Sequence, residues 1–274
     1  MNLSLSVNLS DILTEKKSIL ENLFSWGSFF SNGLRPANIF SLLDTTKIEG
    51  IELVASKEIK KMDIEKVKAI LDKNGIAVFS IHQPILTLYR LSLEKIKRLF
   101  ETAAYLSAKI IVVHLFSLGK KIHDTAFLKE LKSLEEKFDI KIAIENGTKN
   151  IILGLKKYCY EGKEFSKTVL KAGFDITFDI SHLAEAGDDI INFYGQNKER
   201  IINIHLSDYK SGLFKNNLFN MHLPLGKGDL LIEDFLKVLK ESRYDGLLTL
   251  EINRGVKDII ESADFIRLCS GLFN

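Results

Sequence analysis

Histidine, glutamate and aspartate residues recur at the ends of short apolar, β-branched runs along this chain. The runs read AVFSIH, KIIVVH, KIAIE, ITFDISH, IINIH and LLTLE. The residues that end or closely follow them are His82, His114, Glu145, Asp179, His182, His205 and Glu251, and His222 comes later in MHLPLG. If the runs are parallel strands of one barrel, all these side chains reach the same rim.

Such a gathering of charges favours a metal site. Carboxylates and imidazoles in one concavity repel or desolvate one another unless a cation compensates them. A single histidine or glutamate at a strand end is more often a hydrogen-bonded structural residue. To explain four such strand ends in this way, the same explanation would have to hold independently for Glu145, Asp179, His205 and Glu251. We therefore predict that these four hold a divalent ion, with Mn²⁺, Zn²⁺, Mg²⁺ and Co²⁺ all suited to mixed ligands. No organic cofactor is indicated.

The remaining polar residues have two readings each. His82, His114 and His182 would bind either further metals or substrate hydroxyls, and His222 could join a multi-metal site. Lys210 would contact a substrate phosphate or carboxylate, or face solvent. Glu52, in the GIEL motif at the end of the second strand, is either an extra acid/base and substrate contact or a carboxylate bonded to its neighbours. His123 is predicted to be exposed to solvent.

The order of segments predicts how these residues are positioned. Strand candidates lie near residues 2–7, 50–54, 76–82, 109–114, 140–145, 174–179, 201–206 and 247–251, with amphipathic helical stretches between them. Eight alternations favour an α/β chain closed as a (β/α)₈ TIM barrel, one domain over residues 1–274. Ser92 and Asp124 are predicted N-caps, and Gly75, Gly173 and Gly246 are predicted left-handed residues before strands.

Two segments interrupt the alternation. Residues 10–34 insert an aromatic-rich, helix-like stretch, and residues 149–164 lengthen a rim loop. Both could cover the site. For the aromatic cluster, formed by Leu23, Phe24, Trp26, Phe29 and Phe30, the alternative is ordinary core packing.

Composition narrows the class of protein. The 274 residues carry a net charge of +2 from 38 basic and 36 acidic residues, so there is no overall bias toward nucleic acid. No run is long and apolar enough for a membrane span, and no signal peptide is evident, so we expect a cytoplasmic protein. Cys159 and Cys269 are expected to be reduced, partly buried thiols.

The motifs HQP, VVH, IEN, FDISH, IHLSD, HLPLGKGDL and LTLEI, in this order, resemble the xylose-isomerase-like TIM barrels. That superfamily joins sugar and sugar phosphate isomerases and epimerases to the endonuclease IV family of DNA repair. In the first branch the resemblance implies metal ligation by Glu145, Asp179, His205 and Glu251, with both glutamates as acid/base groups. Dimers and tetramers are common there, which is compatible with a homo-oligomer.

In the endonuclease branch the resemblance implies a three-metal cluster that adds His82, His114, His182 and His222. It also implies an aspartate where this chain has Asn220, and an amide is a weaker zinc ligand than a carboxylate. We therefore expect a metal-dependent isomerase or epimerase of a small sugar, working through an enediolate. The alternatives are a zinc phosphodiesterase acting at abasic sites in DNA, and a dehydratase or sugar-binding barrel. The rim-loop bases available to DNA are Lys120, Lys121, Lys210, Lys215, Lys227 and Arg254.

Overall fold

The structure is a computed structural model that describes residues 1–13, 36–56, 61–84, 90–148, 162–213, 220–252 and 255–270. Most of the predicted 10–34 insertion, including its five aromatic and leucine residues, lies outside the described residues, as does most of the 149–164 loop. Cys159, Lys215 and Arg254 lie outside them too.

Eight parallel strands pair in chain order and close into a barrel, as the alternation predicted. They are β1 (Asn2–Asn8), β2 (Gly50–Val54), β3 (Ala77–His82), β4 (Ile110–His114), β5 (Lys141–Glu145), β6 (Asp175–Asp179), β7 (Ile201–Leu206) and β8 (Leu247–Leu250). The predicted bounds are correct to within one residue at each end. Closure leaves no free sheet edge, and it directs every strand's carboxyl end to one rim.

Alternation along each strand separates two kinds of core. In β4 and β5, Ile111, Val113, Ile142 and Ile144 are at most 1% exposed and belong to the apolar core between strands and helices. The intervening residues, such as Ala143 and Glu145, point the other way, into the barrel. One face of each of these two strands therefore packs against the helices, while the other face lines the barrel interior and ends in His114 or Glu145 at the rim.

Helices cover the outside of the barrel. The longer ones are α2 (Pro36–Thr46), α3 (Lys61–Lys73), α4 (Leu93–Tyr105), α6 (Thr125–Phe138), α7 (Gly162–Lys171), α9 (Ile190–Asn197), α10 (Ile232–Glu241) and α11 (Val256–Ser270). Among the described residues, three short α-helices follow strands at the rim: α1 (Leu9–Leu13), α5 (Leu115–Leu118) and α8 (Ile180–Glu185). In α4, Ile96, Leu99, Phe100 and Ala103 recur at helical spacing and are buried.

Both predicted N-caps are confirmed. The Ser92 side chain accepts the Lys95 backbone N–H at 3.3 Å, and Asp124 accepts the N–H groups of Ala126 and Phe127 at 3.0 and 3.2 Å. These bonds satisfy donors that the first turn of a helix leaves without an intrahelical partner.

The predicted left-handed glycines are confirmed at two of three positions. Gly75 and Gly173 have φ of +64° and +81°. Gly246 is wrong in this respect, because the left-handed residue after α10 is Arg243, with φ of 53°. Glycine is needed at 246 for space: a Cβ there would clash with the Tyr244 hydroxyl and lie 2.9 Å from the Ile202 carbonyl oxygen.

Within the described part of the chain, no helix has the length and apolar character needed to cross a membrane. Cys269 is a free, half-buried thiol, as predicted.

Candidate metal centre

The barrel delivers the predicted residues to one rim. His82, His114, Glu145 and Asp179 are the last residues of β3 to β6, His205 is the penultimate residue of β7, and Glu251 directly follows β8. All six are buried, with His114 the most exposed at 8%. The rim is therefore lined by buried polar and charged side chains.

Four of these residues form a central group. The candidate ligand atoms of Glu145, Asp179, His205 and Glu251 all lie within 4.8 Å of one another. His205 Nδ1 lies 2.8 Å from Glu251 Oε2, 3.6 Å from Glu145 Oε1 and 3.9 Å from Asp179 Oδ2. One imidazole nitrogen thus faces three carboxylates from the carboxyl ends of three other strands.

A second group flanks the centre on the side of β3 and β4. Its members are His82, His114 and Glu145. Glu145 Oε2 lies 2.9 Å from His82 Nε2 and 3.1 Å from His114 Nε2. The two imidazole nitrogens are 3.1 Å apart, a distance that admits one shared proton or a shared cation but not two N–H groups.

A third group lies on the other side of the centre. Asp179, His182 and His222 belong to it, with His182 Nε2 and His222 Nε2 separated by 3.2 Å. Glu145 and Asp179 each belong to two groups, so the three groups form one continuous row. The structure brings together every residue predicted as a ligand, while their roles as ligands stay predictions.

The central group has the chemistry of a cation site. Asp179 Oδ2, His205 Nδ1 and Glu251 Oε2 are buried and have no hydrogen-bond partner among the described residues. His205 Nδ1 and Glu251 Oε2 are therefore 2.8 Å apart without being aligned as a hydrogen bond. Buried polar atoms without partners are costly, and a divalent cation would compensate all three. The donor set of three carboxylates and one imidazole fits such an ion.

The pKa values of the rim histidines differ, because burial and charged neighbours act on each ring to different extents. Burial by itself lowers the pKa of His182, but the Asp179 and Glu145 carboxylates outweigh it and raise the pKa to about 10. Burial lowers the pKa of His114 to about 3. A cation at the third group therefore competes with a proton on His182, whereas His114 offers a neutral ring at physiological pH.

Hydrogen bonds to the main chain orient two of the histidines. His82 Nδ1 lies 2.6 Å from the Gln83 carbonyl oxygen, and His182 Nδ1 lies 3.0 Å from that of Asn146. A carbonyl accepts from Nδ1–H, so the Nε2 atoms of both rings face the site.

Two amides, which sequence reasoning did not single out, tie neighbouring strand ends together. Asn146 accepts the Asp179 backbone N–H through Oδ1 and donates through Nδ2 to the Asp179 carbonyl, both at 2.8 Å. Gln83 Oε1 accepts the His114 backbone N–H at 3.1 Å. Each amide directly follows a predicted ligand, His82 or Glu145, and that position was the available signal.

Asp208 organises the loop that carries His222. Its carboxylate accepts backbone N–H groups from Tyr209 and Gly228 at 2.8 Å and from Leu230 at 3.2 Å. An antiparallel bridge also pairs Asp208 with Leu223. The loop is thereby folded back, and His222, with φ of 53°, reaches the third group.

Glu52 does not lie at the end of its strand, so that prediction is wrong. It is the central residue of β2, fully buried in the barrel interior. The cause is register: Glu52 pairs with Ser80, two residues before the rim residue His82. A substrate bound at the rim would contact the rim residues and not Glu52, which lies one layer below them.

The remaining predicted residues lie at the surface. His123 is exposed, as predicted, and Lys210 is half-buried. Lys121 donates to the Leu91 carbonyl at 2.9 Å, and Lys227 pairs with Glu261 at 3.7 Å. Two of the rim-loop bases are thus engaged within the protein.

The sequence of this chain is similar to those of proteins from other organisms. Over 190 residues the chain is 28% identical to the uncharacterized protein MJ1311 of Methanocaldococcus jannaschii, a match that covers 65% of this chain and 62% of that protein, under two thirds of its length. Over 247 residues it is 24% identical to the uncharacterized protein ML2432 of Mycobacterium leprae, covering 80% and 85% respectively.

Solved structures agree over nearly the whole chain. An L-ribulose 3-epimerase superposes with a TM-score of 0.70 at 11% identity, covering 99% of this chain and 95% of that one. A D-tagatose 3-epimerase-like protein gives 0.67 at 19% identity over 98% and 96%. The IolI protein with a bound zinc atom gives 0.63 at 16% identity over 98% and 97%. At such identities the likeness shows the fold.

A sequence model describing the xylose isomerase-like TIM barrel matches residues 40–269, most of the chain. The closed eight-stranded barrel agrees with it, and the chain therefore belongs to the xylose isomerase-like TIM barrel family.

Proposed function

We propose that this protein is a divalent-metal-dependent isomerase or epimerase of a small sugar or sugar phosphate. The observation that carries the proposal is the central group, in which Glu145 and Glu251 both approach His205 Nδ1. Two carboxylates beside one cation site are what proton transfer next to a carbonyl requires. The sugar epimerases among the structural relatives support the substrate class.

Glu145, Asp179, His205 and Glu251 would hold the ion. A divalent cation bound there would polarise a substrate carbonyl and its neighbouring hydroxyl, which acidifies the carbon–hydrogen bond between them. Burial by itself raises the pKa of Glu251, but His205 and His222 outweigh it and hold that pKa below its usual range. The ionised form of Glu251 is the one that can accept a proton.

The protein's own groups would move the proton. One of the two glutamates takes the proton from the carbon beside the carbonyl, and the other returns a proton to the adjacent carbon or to the opposite face. His182, whose Nε2 faces the site, would orient a substrate hydroxyl. Burial of all these groups excludes water that would otherwise compete for the proton.

We expect Glu145→Gln and Glu251→Gln each to lower turnover by at least about 10²-fold, the range of general acid–base catalysis, while substrate binding persists. The measurement is exchange of substrate C–H for deuterium in D₂O, followed by NMR, over a panel of ketoses and aldoses with and without phosphate. Glu135→Gln is the matched control, because Glu135 is equally buried but lies on α6, where it accepts the Ile142 N–H at 2.7 Å. Retention of most activity in either rim variant would remove that glutamate from the mechanism.

A second candidate is phosphodiester hydrolysis at abasic sites in DNA, and the two flanking groups favour it. His82 and His114 on one side and His182 and His222 on the other extend the central group into a row with room for more than one ion. Multi-metal rows suit the displacement of an oxygen at phosphorus. Asn220, which is buried in the loop that carries His222, offers an amide where the resemblance implies a carboxylate.

The number of bound ions separates the two candidates. We expect one Mn²⁺ or Zn²⁺ per chain after purification without chelator, measured by plasma emission spectroscopy, and no cleavage of an abasic-site oligonucleotide. An Asp179→Asn variant should bring the metal content close to zero and serves as the control for adventitious binding. Two or three ions together with strand cleavage would establish hydrolysis and reject the isomerase.

A further inference from the structure

A polar layer lies inside the barrel, directly beneath the predicted ligands. Residues two positions before a rim residue share its face of the strand, and four of these are polar and fully buried: Ser80, Thr177, Asn203 and Thr249. β2 adds Glu52 to the same layer, level with Ser80. A TIM barrel interior is ordinarily filled by apolar branched side chains, so a carboxylate here calls for an explanation.

Glu52 is held by donors on two strands. Ser80 Oγ donates to Glu52 Oε2 at 2.8 Å, and Asn203 Nδ2 donates to the same oxygen at 3.1 Å. The Asn203 amide is itself oriented, because its Oδ1 accepts the Thr249 hydroxyl at 2.9 Å. These bonds hold Glu52 as an acceptor and offset part of the cost of burying it.

The upper side of the Glu52 carboxylate faces His205. His205 Nε2 lies 3.1 Å from Oε1 and 3.3 Å from Oε2. A carboxylate accepts a hydrogen bond, so Nε2 carries the proton. The other ring nitrogen, Nδ1, is then the atom that faces Glu145, Asp179 and Glu251.

We propose that Glu52 is a positioning residue that fixes the ring orientation and tautomer of His205, presenting the Nδ1 lone pair to the central group. This inference rests on the proposed metal site. It assigns Glu52 a role through His205 rather than a contact with substrate. Carboxylate partners of metal-bound histidines act in this way, holding the ring and increasing the basicity of the ligand.

The test compares Glu52→Gln with Thr177→Val. Glutamine keeps the size of Glu52 but replaces one carboxylate oxygen with an NH₂ group, which cannot accept the hydrogen bonds that Glu52 accepts. Thr177→Val is the matched control, because Thr177 lies in the same layer, is fully buried, and its hydroxyl has no hydrogen-bond partner among the described residues. We expect Glu52→Gln to weaken Co²⁺ affinity by about 10- to 100-fold, as loss of an outer-shell partner does, and Thr177→Val to leave it unchanged.

Affinity is measured by competition with a chromophoric chelator, and the visible absorption of bound Co²⁺ reports the ligand geometry. A double-mutant cycle with His205→Asn, which keeps a weaker ligand atom at this position so that affinity stays measurable, shows whether Glu52 acts through this ring. In the His205→Asn background, Glu52→Gln should cause no further loss. An equal loss in both backgrounds would mean a merely structural role and would overturn the inference.

NMR separates failure of this inference from failure of the proposed function. In protein labelled with ¹⁵N-histidine, His205 should show a slowly exchanging, downfield Nε2–H signal, assigned by its loss in His205→Ala. Glu52→Gln should abolish or shift that signal, and Glu52→Asp serves where the glutamine variant is insoluble. A wild-type protein that binds no divalent ion but shows this signal would reject the metal site while keeping the Glu52 to His205 bond. An unchanged signal in both Glu52 variants would overturn the inference.

Discussion

At the scale of single residues, the rim depends on side chains that hold the predicted ligands in place. Asn146 holds both the N–H and the carbonyl of Asp179 with two bonds of 2.8 Å, and Glu52 supports His205 from below. Catalytic geometry is lost over fractions of an ångström, so groups that fix the main chain of a ligand matter as much as the ligand itself.

We expect Asn146→Ala to destabilise the protein by about 1–3 kcal/mol, because it removes both hydrogen bonds that the Asn146 side chain makes to the buried backbone of Asp179. It should also weaken metal binding by about 10-fold or more. Chemical denaturation and chelator competition measure the two effects. Asn197→Ala is the control: Asn197 is also buried but donates to the Phe193 carbonyl at 2.8 Å on α9, so its loss should affect stability alone. Equal metal affinities in the two variants would contradict the assignment.

At the scale of elements, the turn before a strand helps to set the height of the predicted ligand at the end of that strand. The α10–β8 turn brings Arg243 into the left-handed region and packs Gly246 against Tyr244 and the Ile202 carbonyl. Glu251 follows β8 directly, so only the four residues of β8 separate this turn from the rim. Close backbone approach, not chain reversal, is what requires glycine at 246.

Gly246→Ala should therefore destabilise the fold by about 1–3 kcal/mol through overpacking. Gly195→Ala, on the exposed face of α9 with no atom within 4 Å of the added Cβ, should be neutral or stabilising by about 0.4–1 kcal/mol. Thermal and urea unfolding of the two variants would measure the difference. Similar unfolding free energies would show that the 244–247 turn relaxes freely.

At the scale of the whole molecule, one cation would join the ends of four strands. Binding to the folded state alone stabilises a protein by about 2.7 kcal/mol when the ligand is at 100 times its Kd. For a chain of this length that corresponds to about 5 °C in melting temperature. The barrel should thus unfold at lower temperature after chelation, and Asp179→Asn should abolish the difference.

The stabilisation by metal should also increase with pH. Burial by itself lowers the pKa of His205, but the Glu52, Glu251 and Glu145 carboxylates outweigh it and raise that pKa well above its usual value. A proton must therefore leave the ring before Nδ1 can bind the ion, and a lower proton concentration favours that exchange. Melting temperatures with and without Zn²⁺ at pH 6 and pH 8 measure the effect. A metal-induced shift that is larger at pH 6 would contradict the sign.

The sequence determined the strands, their order and the residues at their ends. A β-branched run that ends in His82, Glu145 or Asp179 is a local property, and a period of two fixes which face each side chain takes. The caps at Ser92 and Asp124 are local as well, since a helix start needs only a side-chain acceptor within three residues.

Tertiary structure decided which of those side chains meet and at what depth. The pairing of Glu52 with Ser80 rather than His82 depends on register between strands, including an irregularity at Ile51 and Glu52, and no single segment encodes it. The need for glycine at 246 is also set by tertiary structure, because Tyr244 and a neighbouring strand leave no space for a Cβ. So is the membership of Glu145 in two candidate ligand groups. These relations arise when the sheet closes, because closure sets the height of each strand against the next.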